Sequence, residues 1–282
     1  MKIVVLGAQG LLGQELVNVA KRRGHDVIAW TRAMGDVTDP SAMYGLCEHH
    51  PDMVINAIAF NAVDAAESEE GWRSAEELNA TFPGLLAATL PACGTRLMHI
   101  STDYVFGGTQ DTLFSEDDTP SPVNAYGKSK LLGEEAVRIA NPDALIVRTS
   151  RLFGPPSTSP SAKKTFIQAI LAKAEAEGKL SLVTNETSGP TYTRDLAEAM
   201  MQLVEDNAPG GTYHLCNEGQ ASWYEFGVEV LRLLGKTYPV EAITNEGFVR
   251  PAKRATFSTL ANTKRPKLPH WKDALARFLA QA

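Results

Sequence analysis

From residue 2 to about residue 148, short apolar runs alternate with helix-like segments, and this alternation restricts the fold more than any other feature. The runs at 2–6, 26–30, 53–57, 96–101 and 144–148 read as strands. The stretches 11–23, 40–50, 76–90 and 125–139 between them have helical apolar spacing. Strands apolar on both faces and separated by helices pair in parallel, because a parallel connection needs a crossover of a dozen or more residues. Right-handed crossovers make this a doubly wound, Rossmann-type α/β sheet with helices on both faces.

The pattern changes after Gly154. Residues 154–164 (GPPSTSPSAKK) read as a loop and a lid candidate. Helices are predicted at 165–177, 193–205, 222–234 and 271–280, with short strands at 180–183 and 211–215. Ser222 and Glu225 are spaced as a capping box. The expected division is a dinucleotide-binding domain over 1–153, with later returns of the chain to the sheet left open. Residues 154–282 are expected to form mainly a smaller C-terminal α/β substrate domain.

Bulk properties narrow the function classes. The 282 residues are 44% hydrophobic and 21% charged, ordinary for a globular chain with its own core. The formal charge of −6 argues against nucleic acid as a partner, while leaving room for a basic pocket around a phosphorylated ligand. No run approaches the roughly 20 apolar residues of a membrane span. MKIVVLGAQG runs into a glycine turn rather than a signal peptide, so no membrane association and a cytoplasmic location are expected. Cys47, Cys93 and Cys216 lack metal-ligand spacing and are predicted to be free thiols in a reducing compartment. His49 and His50 beside Glu48 find no further ligand nearby, so no metal site is expected.

The first strand runs into Gly7-Ala8-Gln9-Gly10-Leu11-Leu12-Gly13. Gly7 permits the tight turn, Gly10 lets backbone amides approach a pyrophosphate, and Gly13 permits close helix–sheet packing. An acidic residue at the end of the second strand would bind the ribose of NAD. This strand ends Ala29-Trp30-Thr31-Arg32, where Arg32 can meet a 2′-phosphate. NADP is favoured and NAD stays open, since Arg32 reads almost equally well as a solvated loop residue. Asp36, beyond the strand, is an adenine-contact candidate.

Tyr126 and Lys130 in YGKSK lie four residues apart, on one face of a helix. A nearby ammonium would stabilise the tyrosinate and bring a phenol toward proton transfer at neutral pH. Ser101-Thr102-Asp103 follows the strand at 96–101, at the carboxyl end of the sheet where open α/β sheets bind ligands. Thr102 could share a substrate carbonyl with Tyr126. His99 on that strand reads as packed, and Trp223 and Tyr224 as anchors of a later helix.

With these residues in place, the chain resembles the extended short-chain dehydrogenase/reductases, and more narrowly the dTDP-4-dehydrorhamnose reductase family. GAQGLLGQEL, GDVTDP, PDMVINAIAFNAVDAAE, ISTDYVF, NAYGKSKLLGEE, VRTSRLFG, SGPTYTRDLA and GTYHLCNEGQASWYEF carry the likeness. The resemblance implies reduction of a 4-keto-6-deoxy sugar linked to a nucleoside diphosphate, with NADPH or NADH as donor. It implies a pyrophosphate turn at Gly10, Leu11 and Leu12, and an adenine contact at Asp36 and Val37. Ala59, Phe60 and Asn61 would line the cofactor. Thr102, Tyr126 and Lys130 form the implied catalytic triad, the last two also touching cofactor, and Asp103 an implied substrate contact. Asp64 and Glu67 match family positions without an assigned chemistry. The resemblance leaves Mg2+ and a homodimer open. Arg151 stands where the family commonly has a tryptophan against the sugar, and offers a charged fork in place of a stacking face. Phe60 and Ala255 also depart from the family pattern. The rivals are a reductase of a different nucleotide sugar and a non-catalytic NADP-binding regulatory subunit.

Overall fold

In the first strand, Ile3 and Val5 face one side and Val4 and Leu6 the other, and all four are fully buried. A strand apolar on both faces needs cover on both, and the computed structural model provides it. The structure describes every residue except 37, 109–111, 160–161, 248–249 and 282. In chain order the elements to the middle of the chain are β1 (Lys2–Leu6), α1 (Gly13–Arg22), β2 (Asp26–Trp30), α2 (Pro40–Glu48), β3 (Met53–Asn56), α3 (Glu69–Glu76), α4 (Phe82–Thr89), β4 (Arg96–Thr102), α5 (Ala125–Ala140), β5 (Leu145–Thr149) and β6 (Leu152–Phe153). There follow α6 (Phe166–Glu177), β7 (Leu180–Val183), β8 (Thr187–Ser188), β9 (Thr191–Tyr192), α7 (Thr193–Glu205), β10 (Gly211–His214), β11 (Asn217–Glu218), β12 (Ala221–Ser222), α8 (Trp223–Leu233), β13 (Val240–Ile243), β14 (Leu268–His270) and α9 (Trp271–Leu279).

Six parallel strands form the main sheet in the order β10-β5-β4-β3-β1-β2. The expected Rossmann-type α/β fold is therefore what the chain adopts. Strand order reverses between β1 and β3, and that crevice is where doubly wound sheets bind nucleotides. On one face, Ile3, Val5, Ile55, Met98 and Val147 pack against Leu16 of α1 and Leu196, Met200 and Leu203 of α7. On the other, Val4, Leu6, Val54, Leu97 and Ile146 pack against Leu46 of α2, Phe82 and Leu86 of α4 and Val137 of α5. Two pieces of the C-terminal chain, α7 and β10, complete this layered core.

A second core gathers Phe153, Ile167, Ile170, Leu182, Tyr192, Phe226, Val230, Trp271 and Phe278 from α6, β7, α8 and α9. Its helix α8 begins with the anticipated capping box. Ser222 Oγ accepts from Glu225 N at 3.1 Å, and Ser222 N donates to Glu225 Oε2 at 2.7 Å. Ser222→Ala is expected to lower stability by about 1 kcal/mol in urea denaturation, the ordinary worth of an N-cap.

Two sequence expectations are corrected. Residues 76–90 do not form one helix: residues 77–81 widen into a π-helical turn between α3 and α4. Nor are all three cysteines free. Cys47 at the end of α2 and Cys93 after α4 lie under the same sheet face and are joined in a disulfide, Cα–Cα 5.8 Å. Cys216 is the free, buried thiol among the described residues, and burial pushes it up to about 12. No helix among the described residues is long and apolar enough to cross a membrane.

Candidate active site

The glycine turn adopts the shape its spacing requires. Gly7 has φ +75°, and a side chain there would press on the Ala57 carbonyl of the neighbouring β3 end. Gly10 N donates to Gly7 O at 2.9 Å, closing the turn. A Cβ on Gly13 would lie 2.1 Å from Gly7 O, so only glycine lets α1 start this close to β1. The amides of Leu11, Leu12 and Gly13, leading into α1, thus open at the crevice and fit a pyrophosphate. The 154–164 loop is tied to this turn: Ser157 Oγ and Thr158 N both donate to Gln9 O, at 2.6 and 3.1 Å.

Arg32 lies exposed in a short turn directly after β2. Asp36 is also exposed, and its carboxylate is held below the usual range by the Thr38 amide and hydroxyl and by Arg32. Val37 lies outside the described residues. Beyond β3, Ala59 and Asn61 are exposed and Phe60 half-buried along the crevice. Phe60 is clamped through its backbone: its N–H donates to Asn79 Oδ1 at 2.9 Å and its carbonyl accepts from Asn79 Nδ2 at 3.0 Å. Asn79 also donates to Ser129 Oγ on α5, at 2.9 Å. The π-helical turn aims Asn79 at both segments, a common use of such turns. Nothing in the chain around Asn79 signals this role, because an asparagine in a helical pattern reads as a surface residue.

Thr102 and Tyr126 meet. Thr102 ends β4, and α5 brings the Tyr126 phenol beside it. Asn124 Oδ1 caps α5 by accepting from Gly127 N at 2.8 Å. Glu67 and Asp64 now have roles as well. Glu67 accepts from Ala125 N at 2.9 Å at the start of α5, and Asp64 binds Arg254 at 2.9 Å and the Ala252 amide at 3.2 Å. Tyr104 stands edge-on to Tyr126 at 5.5 Å.

Lys130 shares the helix face with Tyr126, but the expected lowering of the phenol by a nearby ammonium is not found. Burial instead pushes the Tyr126 phenol above its usual value, opposed by the Thr102 hydroxyl beside it. The Lys130 amine points at β4, where it donates to Ile100 O at 2.7 Å and lies 3.4 Å from His99 Nε2. Burial brings Lys130 down to about 8, with Glu134 opposing.

Asp103 and Arg151 sit closer to the protein than to solvent. Asp103 is 1% exposed and accepts from Ser188 and Ser258 hydroxyls on one oxygen, at 2.8 and 2.6 Å, and from Thr102 on the other, at 3.1 Å. Arg151, at φ +38°, spends its fork on the carbonyls of Ala221 and Glu186, both at 2.6 Å. Its guanidinium lies 4.2 Å from the Trp223 ring centroid, and burial lowers it to about 10. Arg151 thereby ties β12 to the segment before β8. Asp103, Tyr104, Asn124, Arg151, Glu186 and Arg254 border a narrow cleft. Among the described residues, no three His, Cys, Asp or Glu side chains converge as a metal cluster.

The fold and this arrangement have known counterparts. The family model described as the RmlD substrate binding domain matches residues 1–282. The chain belongs to this family. A dTDP-4-dehydrorhamnose reductase of Mycobacterium tuberculosis is 36% identical over 99% of this chain and 92% of its own length. A probable dTDP-4,6-dihydroxy-2-methyloxan-3-one 4-ketoreductase of Streptomyces antibioticus is 37% identical over 98% of this chain and 93% of its own. Among solved structures, the dTDP-4-dehydrorhamnose reductase of Bacillus anthracis in complex with NADP superimposes with a TM-score of 0.92 at 28% identity, covering 100% of this chain and 99% of that one. The RmlD family thus accounts for the whole chain, both cores included.

Proposed function

We propose that the chain is an NADPH-dependent reductase of the C4 keto group of a nucleotide-linked 4-keto-6-deoxy sugar, dTDP-4-dehydro-L-rhamnose to dTDP-L-rhamnose. The observation that carries this reading is the juxtaposed Thr102–Tyr126 pair at the carboxyl end of β4, beside the crevice that the glycine turn opens. The reduced nicotinamide, when bound, supplies hydride to C4. A carbonyl oxygen seated between Thr102 and Tyr126 takes a hydrogen bond from the phenol and, once the Thr102 proton turns to it from Asp103, one from Thr102, which stabilises the developing alkoxide. Burial keeps the Tyr126 phenol protonated at neutral pH, the state a proton donor to an alkoxide needs. Lys130, on the same face of α5, then returns a proton to the tyrosinate. Asp103, holding three hydroxyl donors, orients Thr102 from behind.

In this reading the second core, mainly 154–282, forms the sugar side of the cleft, and Arg32 meets the 2′-phosphate. A cytoplasmic location belongs to the proposal. So does a homodimer, supported by exposed Leu85 on α4 and Ile139 on the adjacent α5. The test is oxidation of NADPH with dTDP-4-dehydro-L-rhamnose, and an enzyme inert toward it while turning over another ketosugar would overturn the substrate assignment. Arg32→Ala is expected to raise KM for NADPH about tenfold or more, the worth of one charged hydrogen bond, with KM for NADH unchanged.

A second reading, a sibling reductase of another nucleotide sugar, is favoured by Arg151. Its guanidinium face on Trp223 differs from a bare aromatic surface against the sugar. A panel of dTDP-, UDP- and GDP-linked ketosugars separates the two readings. NADPH binding without turnover on any of them would point to the regulatory subunit.

A further inference from the structure

The segment after β6 leaves the second core and later returns to it, and in between it touches the first core at the glycine turn. Its upstream end is held by Phe153, which stacks on Tyr192 with ring centroids 5.5 Å apart, and by Gly154, where a Cβ would lie 2.1 Å from Thr193 Oγ1. Its downstream end is held by the capping box of α6, in which Thr165 Oγ1 accepts from Gln168 N at 3.3 Å and Thr165 N donates to Gln168 Oε1 at 2.9 Å. Residues 155–158 lie between these anchors. The Gln14 side-chain amide donates to Pro155 O at 2.8 Å and to Pro156 O at 2.9 Å. Ser157 Oγ donates to Gln9 O at 2.6 Å, and Thr158 N donates to the same carbonyl at 3.1 Å. A side-chain NH2 has two donors and a carbonyl two lone pairs, so both attachment points are fully used. Gln9 and Gln14 bracket residues 10–13, the stretch whose amides open at the crevice. The rings of Pro155 and Pro156 fix φ at both residues and stiffen the crossing.

We propose that residues 155–158 are a strap that gates the cofactor site, latched to Gln9 and Gln14 across the mouth of the glycine turn. The inference rests on the reading of that turn as the pyrophosphate site of NADPH, and deepens it. Latch and ligand draw on different groups. The latch takes the Gln9 carbonyl and the Gln14 side chain, whereas a pyrophosphate takes the backbone amides of Leu11, Leu12 and Gly13. The strap therefore closes equally well with or without cofactor beneath it. A contact made equally in both states leaves the affinity unchanged. What it changes is the path: the dinucleotide passes only while the strap is lifted, so the latch slows entry and exit by the same factor. Lifting breaks the four bonds to Gln9 and Gln14 and leaves both anchors in place, because the anchors belong to the second core and the latch to the first. The motion is a local opening and involves no unfolding of either core.

Gln14→Ala removes two of the four latch bonds and keeps the first turn of α1, since alanine is the best helix former. Stopped-flow fluorescence of NADPH with the full-length protein gives the association rate constant, and displacement by excess NADP+ gives the dissociation rate constant. Both are expected to rise about tenfold, the worth of two partly exposed hydrogen bonds, with the Kd within about twofold of the unaltered value. Ser157→Ala removes the shorter bond to Gln9 O and is expected to raise both constants by a smaller common factor, about threefold. A dissociation constant of the rate alone rising, with the Kd rising in step, overturns the proposal, because the strap would then be a ligand of the cofactor and no gate. Rate constants unchanged in both variants overturn it as well. Should Gln14→Ala fail to fold, Ser157→Ala decides, since its hydroxyl sits on the strap and outside both cores. Failure of the cofactor reading shows differently, as no binding of NADPH to the unaltered protein, and removes the gate with it.

Discussion

Tyr126→Phe is expected to lower kcat by about 10²–10⁴-fold, the usual contribution of a positioned proton donor, with the Kd for NADPH changed by less than about twofold. The substitution removes one oxygen and leaves the ring that stands edge-on to Tyr104. The packing of α5 against β4 therefore persists, and what disappears is the phenolic proton and half of the carbonyl clamp. Thr102 remains, with its hydroxyl still oriented by Asp103, so a residual rate above that of the free reactants is expected. Stopped-flow measurement of cofactor oxidation separates the chemical step from cofactor release, and fluorescence titration gives the binding constant. Turnover near that of the unaltered enzyme would remove Tyr126 from the mechanism and with it the reading of the Thr102 pair.

The largest expected effect on stability is at the other end of the same helix. Glu134 is fully buried on α5, and Arg148 on β5 is 2% exposed. They form a fork-to-fork pair, with Arg148 Nε at 2.8 Å from Oε1 and NH2 at 2.7 Å from Oε2. Glu134→Ala leaves the guanidinium charge buried without its carboxylate, and the expected cost is about 3–5 kcal/mol. His214, 3.3 Å from Arg148 and itself held neutral by burial and by that arginine, offers no negative charge in compensation. The double variant Glu134→Leu with Arg148→Met is expected to recover most of the loss, because the pair contributes little beyond neutralising itself. Urea denaturation of the two single variants and the double one checks this. Strict additivity of the two single losses would show that the groups do not act as a pair.

The parts of the molecule legible in the sequence are those whose cause is local. Strands β1, β3 and β5 read correctly because burial on both faces makes each a largely apolar run. The glycine turn reads correctly because a backbone at φ +75° beside Ala57 excludes other residues at Gly7. Ser222 and Glu225 are three residues apart and interact only with each other's neighbourhood. Illegible features depend on partners far along the chain. That the Arg151 fork goes to the carbonyls of Glu186 and Ala221, 35 and 70 residues away, could not be read from its neighbours in sequence. Cys47 and Cys93 are brought together by the packing of α2 and α4 under one sheet face. His99 reads as an ordinary core residue, and only the register of β3 beside β4 sets Asn56 opposite it. The sequence placed Lys130 on the right helix face but gave no means of knowing that its amine would turn toward β4.

The return of α7 and β10 to the main sheet has a consequence for how the chain is made. When residues 1–153 leave the ribosome, β5 has one edge without a neighbour and the apolar face beneath α7 is uncovered. The face is covered only when α7 has been made, to residue 205, and the edge is closed only when β10 follows, to residue 214. The nucleotide-binding half therefore waits on its companion, and the nascent protein carries an open edge of the kind that other chains can pair with. Cutting the chain after residue 153 would yield an aggregating fragment rather than a free-standing dinucleotide-binding module.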